Sequence, residues 1–246
     1  MGTLIAAVQF EPEHLNVEKN LKRIQTLTFE AATNGAKIVV FPELITTGPL
    51  IENEIVASDC SQLFNGNQTQ QLIDVAASLG VSICFGYVEK CDNKYWNSAQ
   101  LISGEGVLLN VKKHNLRGYD NLWTQTSDEI IPMTSYPGMR ISILIGDDIK
   151  NRAHNEGIFK EGQQFIKKGS VDLVLHPSAT TITTLPEDDW MMFSEEVDCP
   201  SIHANQIFQD EFMGCNGGSC IITKDLRAHK SVGTSTDGVE FIYQEI

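Results

Sequence analysis

Three short segments hold residues whose types and spacing could do chemistry. In Phe41-Pro42-Glu43-Leu44 an apolar run meets a proline and then presents a carboxylate. A carboxylate at the carboxyl end of a buried strand stands where open α/β sheets collect their ligands; an isolated Pro-Glu pair also serves as a loop cap or ion-pair partner. In Val111-Lys112-Lys113-His114 two cations end a strand, and side-chain alternation lets only one of them enter a pocket. Taken alone, such a pair is equally a solvated edge that discourages aggregation. In Ile141–Asp148 an apolar strand ends in Gly146-Asp147-Asp148. These two aspartates with Glu43 could hold a hard cation, but a lysine in the same site argues against it, so neither a metal nor another cofactor is expected.

Other segments carry weaker signals. His176-Pro177-Ser178 offers a His/Ser pair at a strand end, readable as a nucleophile pair or as a pocket wall. Gly217-Gly218-Ser219 lacks the lysine and following helix of a phosphate loop and reads as a turn into a strand. Trp190-Met191-Met192-Phe193 reads as a helix face or a subunit contact.

The elements that must position these residues are visible as apolar runs. Strand-length runs fall at Leu4–Phe10, Ile38–Phe41, Val81–Tyr87, Ala99–Ile102, Val107–Val111, Ile141–Ile145, Leu173–Leu175, Ser201–Ala204 and Ser219–Thr223. Several are nearly continuous, as in strands covered on both faces. Between the first two, Leu21, Ile24, Leu27, Ala31 and Ala32 keep helical spacing and Gly35 supplies a stop, which gives a β-α-β unit. A second helix is expected over Thr69–Leu79, ending at Gly80, with further helices over Asn155–Lys168 and Pro186–Glu196. Gly104-Glu105-Gly106 marks a hairpin and brings antiparallel neighbours into the sheet.

The chain has 246 residues, 41% of them hydrophobic, enough for one α/β domain over 1–246. Its net charge of −14 argues against nucleic acid or an anionic membrane as partner. Six cysteines without CxxC spacing fit a reduced, cytoplasmic protein. The apolar N-terminus lacks a basic leader and a cleavage site, and it reads as a first buried strand.

In order and rough spacing, strand–Pro-Glu43, strand–Lys113-x-Asn115-Leu116 and strand–Gly146-x-Asp148 resemble the nitrilase superfamily of carbon–nitrogen hydrolases. Thr46-Thr47-Gly48, Gly86-Tyr87 before Glu89, Trp96-Asn97-Ser98-Ala99, His176-Pro177-Ser178-Ala179, Ala204-Asn205 and Gly217-Gly218-Ser219 look like the same family's landmarks, from Leu4 to about Thr223. The resemblance implies a four-layer αββα sandwich of two mixed sheets covered by helices. It also implies a Glu general base, matched by Glu43, and a Lys that stabilises the tetrahedral intermediate, matched by Lys113. A second acid after the Lys strand is matched by Asp120, ahead of Trp123. The third member in the family is a Cys thiol, which attacks an amide or nitrile carbon. At its position this chain has Gly146.

The expected function is therefore that of a catalytically silent homologue that binds a small amide, nitrile or carboxylate, with Asp147, His176 and Ser178 contacting the ligand. A small void is expected beside a retained Glu43–Lys113 couple. Two alternatives stand beside it. One is an active amidase-type hydrolase, in which Gly146 is engineered, or Asp147 or a Glu43-bound water replaces the thiol. The other is a subunit of an oligomeric assembly, for which the family implies a homodimer or higher homo-oligomer.

Overall fold

A computed structural model describes residues 2–129, 132–149, 170–180, 186–211, 213–230 and 239–246. The helix expected over 155–168 lies outside these residues. In chain order the elements are β1 (Leu4–Gln9), α1 (Val17–Thr33), β2 (Ile38–Val40), α2 (Glu54–Cys60), α3 (Asn67–Leu79), β3 (Ser82–Cys91), β4 (Lys94–Ser103), β5 (Gly106–Lys112), β6 (Met133–Tyr136) and β7 (Met139–Ile143). They continue with β8 (Leu173–Ser178), α4 (Pro186–Val197), β9 (Ser201–Asn205), β10 (Ile207–Gln209), β11 (Gly214–Asn216), β12 (Cys220–Ile222), β13 (Ala228–Lys230) and β14 (Glu240–Glu245).

Two six-stranded sheets form, ordered β14-β1-β2-β3-β4-β5 and β13-β12-β9-β8-β7-β6. Each has a parallel centre and antiparallel flanks: β1-β2-β3 and β7-β8-β9 run parallel, and the outer pairs are hairpins or returns. Alternation along β1 shows how the layers arise. Ile5 and Ala7 face the core between the sheets, where Ile143, Leu175 and Ile202 meet them, while Ala6 and Val8 face Leu21, Ile24 and Leu27 of α1. On the second sheet Val174, Cys220 and Ile222 pack against Trp190 and Val197 of α4. Helix, sheet, sheet, helix is the expected four-layer αββα sandwich, with burial of apolar faces in each interface as its driving force.

Local signals explain the boundaries. The Asn16 side chain caps α1 by accepting the Lys19 N–H, and Gly80 ends α3 in the left-handed conformation at φ 63°. The β3–β4 turn at Asp92 and Asn93 has φ of 51° and 60°, the paired left-handed geometry of a tight hairpin. Two expectations need correction. The strand placed at Ile141–Ile145 ends at Ile143, because the chain turns into a 3-10 helix over Gly146–Ile149. The last strand lies far beyond Thr223: β14 pairs antiparallel with β1 from Leu4↔Glu245 to Gln9↔Glu240. All six cysteines are free. No helix among the described residues is long and apolar enough to cross a membrane.

Candidate active site

Glu43 is delivered by the extension of β2. Phe41 N–H donates to Cys84 O at 2.7 Å and Gly86 N–H to Pro42 O at 3.0 Å, which holds Pro42-Glu43 against β3. A Cβ on Gly86 would collide with the Leu44 amide nitrogen and stand 2.6 Å from Glu43 Cα, so the close approach requires glycine there. Leu44 then turns the chain at φ 47°, and Gln206 Nε2 donates to Glu43 O at 3.0 Å. The Glu43 side chain is buried.

Lys113 follows the last residue of β5, and its N–H donates to Asn97 O on β4 at 2.8 Å. Its ammonium sits between Glu43 Oε1 at 2.6 Å and Asp120 Oδ2 at 2.7 Å. Lys112 points the other way, over the Trp96 ring and onto Glu129, as alternation requires. Asp120 is held in the 3-10 turn Gly118–Leu122. Asn97 Nδ2 bridges the two acids, donating to Glu43 Oε1 at 2.7 Å and Asp120 Oδ1 at 3.0 Å. The expected trio is thus brought together, with Asn97 as a fourth member.

Two buried carboxylates face one ammonium, so the cluster has a surplus acceptor. Burial, with the Asp120 charge adding to it, pushes the Glu43 carboxyl above its ordinary range against the pull of Lys113. Burial works against the Lys113 ammonium, but Asp120 and Glu43 together outweigh it and hold that proton more tightly than usual. The carbonyl oxygens of Asn97 and Gln206 are buried without a partner among the described residues.

Gly146 borders this cluster in the left-handed conformation at φ 50°. A Cβ built there would point straight at the trio, overlapping Glu43 Oε2 and standing 3.0 Å from Lys113 Nζ. Glu43 Oε2 is kept in that place by the Ala179 N–H at 3.0 Å. The small void expected beside Glu43 and Lys113 is therefore filled by the carboxylate itself.

Asp147 is buried, with Oδ1 3.4 Å from Arg117 Nη1. Asp148, weighed in the sequence only as a possible cation ligand and as part of the strand–Gly146-x-Asp148 pattern, is the anchor of the turn: Oδ1 accepts the His114 and Asn115 N–H groups at 3.1 and 2.7 Å, and Oδ2 accepts Ile145 N–H at 3.1 Å. It thereby ties the segment after Lys113 to the Gly146 turn. Burial raises its carboxyl to about 7, against the opposing pull of the Asn115 N–H and Lys113. His176 is fully buried, with Nε2 on Gly146 O at 2.7 Å and Nδ1 on His203 Nδ1 at 2.8 Å. The Ser178 hydroxyl pairs with Thr180 Oγ1 at 2.7 Å. Among the described residues no group of three or more His, Cys, Asp or Glu side chains is placed to share a metal ion.

The sequence model of the carbon–nitrogen hydrolase family matches residues 4–246. The chain belongs to the carbon–nitrogen hydrolase family. Among curated members it is similar to a nitrilase of Pyrococcus abyssi, 27% identical over 74% of this chain and 67% of that protein. It is also similar to an omega-amidase of Danio rerio, 28% identical over 74% of this chain and 65% of the other. The matches therefore span about two thirds of those hydrolases. Among solved carbon–nitrogen hydrolase folds, an amidase from Nesterenkonia sp. superposes with a TM-score of 0.84 at 18% identity, covering 100% of this chain and 90% of the amidase.

Proposed function

We propose that residues 1–246 form one carbon–nitrogen hydrolase domain in which Gly146 takes the position of the family's nucleophilic cysteine. In this reading the protein is a catalytically silent homologue that holds a small neutral amide at Glu43, Lys113 and Asp120. One observation carries it: a left-handed residue whose Cβ would project directly onto the Glu43–Lys113 pair is a glycine. Glycine has nothing to attack with, so no acyl-enzyme forms. Loss of a covalent nucleophile costs on the order of 10⁶ in turnover, and what remains is binding and electrostatics.

The surplus carboxylate argues for an amide over the carboxylate ligands of the wider expectation, because an anion would be repelled by a cluster already short of cations. The buried carbonyls of Asn97 and Gln206 can accept from an amide NH2, and the Lys113 ammonium can donate to an amide oxygen once Glu43 swings aside. A variant of the Nesterenkonia amidase is in complex with butyramide, which makes that amide a natural first ligand to try. A homodimer or higher homo-oligomer in the cytoplasm is the accompanying proposal, checked by light scattering and cell fractionation.

Calorimetry with butyramide and an assay for released ammonia test the reading on the unmodified chain. Binding without ammonia release is expected. Hydrolysis at rates typical of cysteine-bearing amidases would sink it. A covalent adduct seen by intact mass spectrometry on the unmodified chain would have the same effect.

A further inference from the structure

On the helix-covered face of the second sheet, four side chains continue from the Gly146 turn in one line. Parallel pairing sets His176 of β8 opposite His203 of β9, and their Nδ1 atoms meet at 2.8 Å. His203 Nε2 lies 2.6 Å from Ser201 Oγ, and Ser201 Oγ lies 2.5 Å from Ser194 Oγ on α4. Trp190, also on α4, stacks on the His203 ring with centroids 4.4 Å apart and planes within 3°. All five side chains are buried.

One end of this line is a backbone carbonyl, which can only accept, so His176 Nε2 carries a proton and donates to Gly146 O. A neutral His176 then has its lone pair on Nδ1, and His203 must donate from its own Nδ1. That leaves His203 Nε2 as an acceptor for the Ser201 hydroxyl, whose oxygen in turn accepts from Ser194. Burial, with the His176 ring beside it, keeps His203 well below its ordinary pKa and therefore neutral.

We infer that Ser194, Ser201, His203 and His176 form a hydrogen-bond chain of single polarity, running from α4 to the Gly146 carbonyl, which positions the turn beside Glu43. The histidines are positioning residues: His176 touches the turn's backbone at Gly146 O, and His203 acts through His176. That the turn borders a ligand is taken from the proposed function, but the chain itself is readable in the free protein, so the two ideas fail separately.

The test is a long-range ¹H–¹⁵N spectrum of the full chain labelled with ¹⁵N in histidine, with ¹³C at the glycine carbonyls for a parallel carbonyl spectrum, at neutral pH. His176 is expected as the Nε2–H tautomer and His203 as the Nδ1–H tautomer. Protonation of both His176 nitrogens, or a proton on His203 Nε2, overturns the inference. Ser201→Ala removes the hydroxyl donor without touching His176 or Gly146. It should shift the His176 Nε2–H and Gly146 carbonyl signals, and Ser201→Thr, which keeps the hydroxyl, should restore them. Unmoved His176 and Gly146 signals in Ser201→Ala refute the chain. Where that variant does not fold, the tautomers of the unmodified protein decide.

Discussion

The Glu43 carboxylate and a side chain on Gly146 would claim the same space. Oε2 is fixed there by the Ala179 N–H, and the backbone at 146 aims its missing Cβ onto that oxygen. Gly146→Ala therefore meets two costs. A left-handed L-residue costs roughly 1–2 kcal/mol, and overpacking adds roughly 1–3 kcal/mol. Chemical denaturation should show a loss of about 2–4 kcal/mol. Combined with Glu43→Ala, the loss should fall short of the sum of the single variants by about 1 kcal/mol or more. Simple additivity would show that the two groups do not compete.

The same competition bears on Gly146→Cys. The thiol can take its place only if Glu43 leaves the Ala179 amide. We expect the variant to be less stable than the parent and to acquire a covalent adduct with a haloacetamide slowly, as read by intact mass. Rapid, stoichiometric labelling with unchanged stability would mean that the space is open.

The two adjacent lysines should behave differently. Lys113→Met leaves Glu43 and Asp120 buried and facing each other, and breaking a buried pair in this way costs about 3–5 kcal/mol. Lys112→Met loses a contact to Glu129, whose side chain is 59% exposed, and such pairs contribute about 0–1 kcal/mol. Equal losses in urea melts would contradict the assignment of faces.

Acidity should favour Asp148. Its folded value of about 7 lies above the ordinary 3.8, so between those values the folded state holds a proton that the unfolded state has released. The contribution from this group is greatest below about 4 and declines as pH rises towards 7, by up to about 4 kcal/mol. The raised Glu43 carboxyl acts in the same direction. Melts across that window should show Asp148→Asn flattening the slope relative to the parent; an unchanged slope would mean that Asp148 is ionised throughout.

Gly86→Ala tests the path of the Glu43 segment. A methyl group there would collide with the backbone of Leu44 and Glu43, and a loss of about 1–3 kcal/mol follows from overpacking. A neutral effect by thermal melting would show that the segment can move off β3.

Glu43 and Lys113 were legible in the sequence because each follows a recognisable strand end and because the resemblance supplied their order, whereas Asp120, in a turn well past β5, was matched through the resemblance alone. Asn97 was visible only as a landmark. Its contact with Glu43, 54 positions away, depends on the β3-β4-β5 register, which local pattern does not fix. Asp148 was hidden for a similar reason: its three backbone donors come from two segments that meet only after folding. His176 and Ser178 were ligand-contact expectations drawn from the resemblance, and no local pattern foretold that the His176 ring nitrogens engage Gly146 O and His203. A mixed α/β architecture was readable from continuous apolar strands between amphipathic helices, whereas the four layers were what the resemblance implied. β14 was not, because Glu240–Glu245 mixes charged and apolar residues and finds its face only beside β1.

That last pairing also sets an order of events in folding. β1 lies between β2 and β14, so one of its long edges stays open until residues some 235 positions later arrive and the register Leu4↔Glu245 can close. Ordering so long an intervening chain before the reward of pairing slows folding. The first sheet should gain protection from hydrogen exchange in two stages, with the β1–β2–β3 amides ahead of the β1–β14 ladder, leaving a half-paired apolar strand as the species most exposed to aggregation on the way.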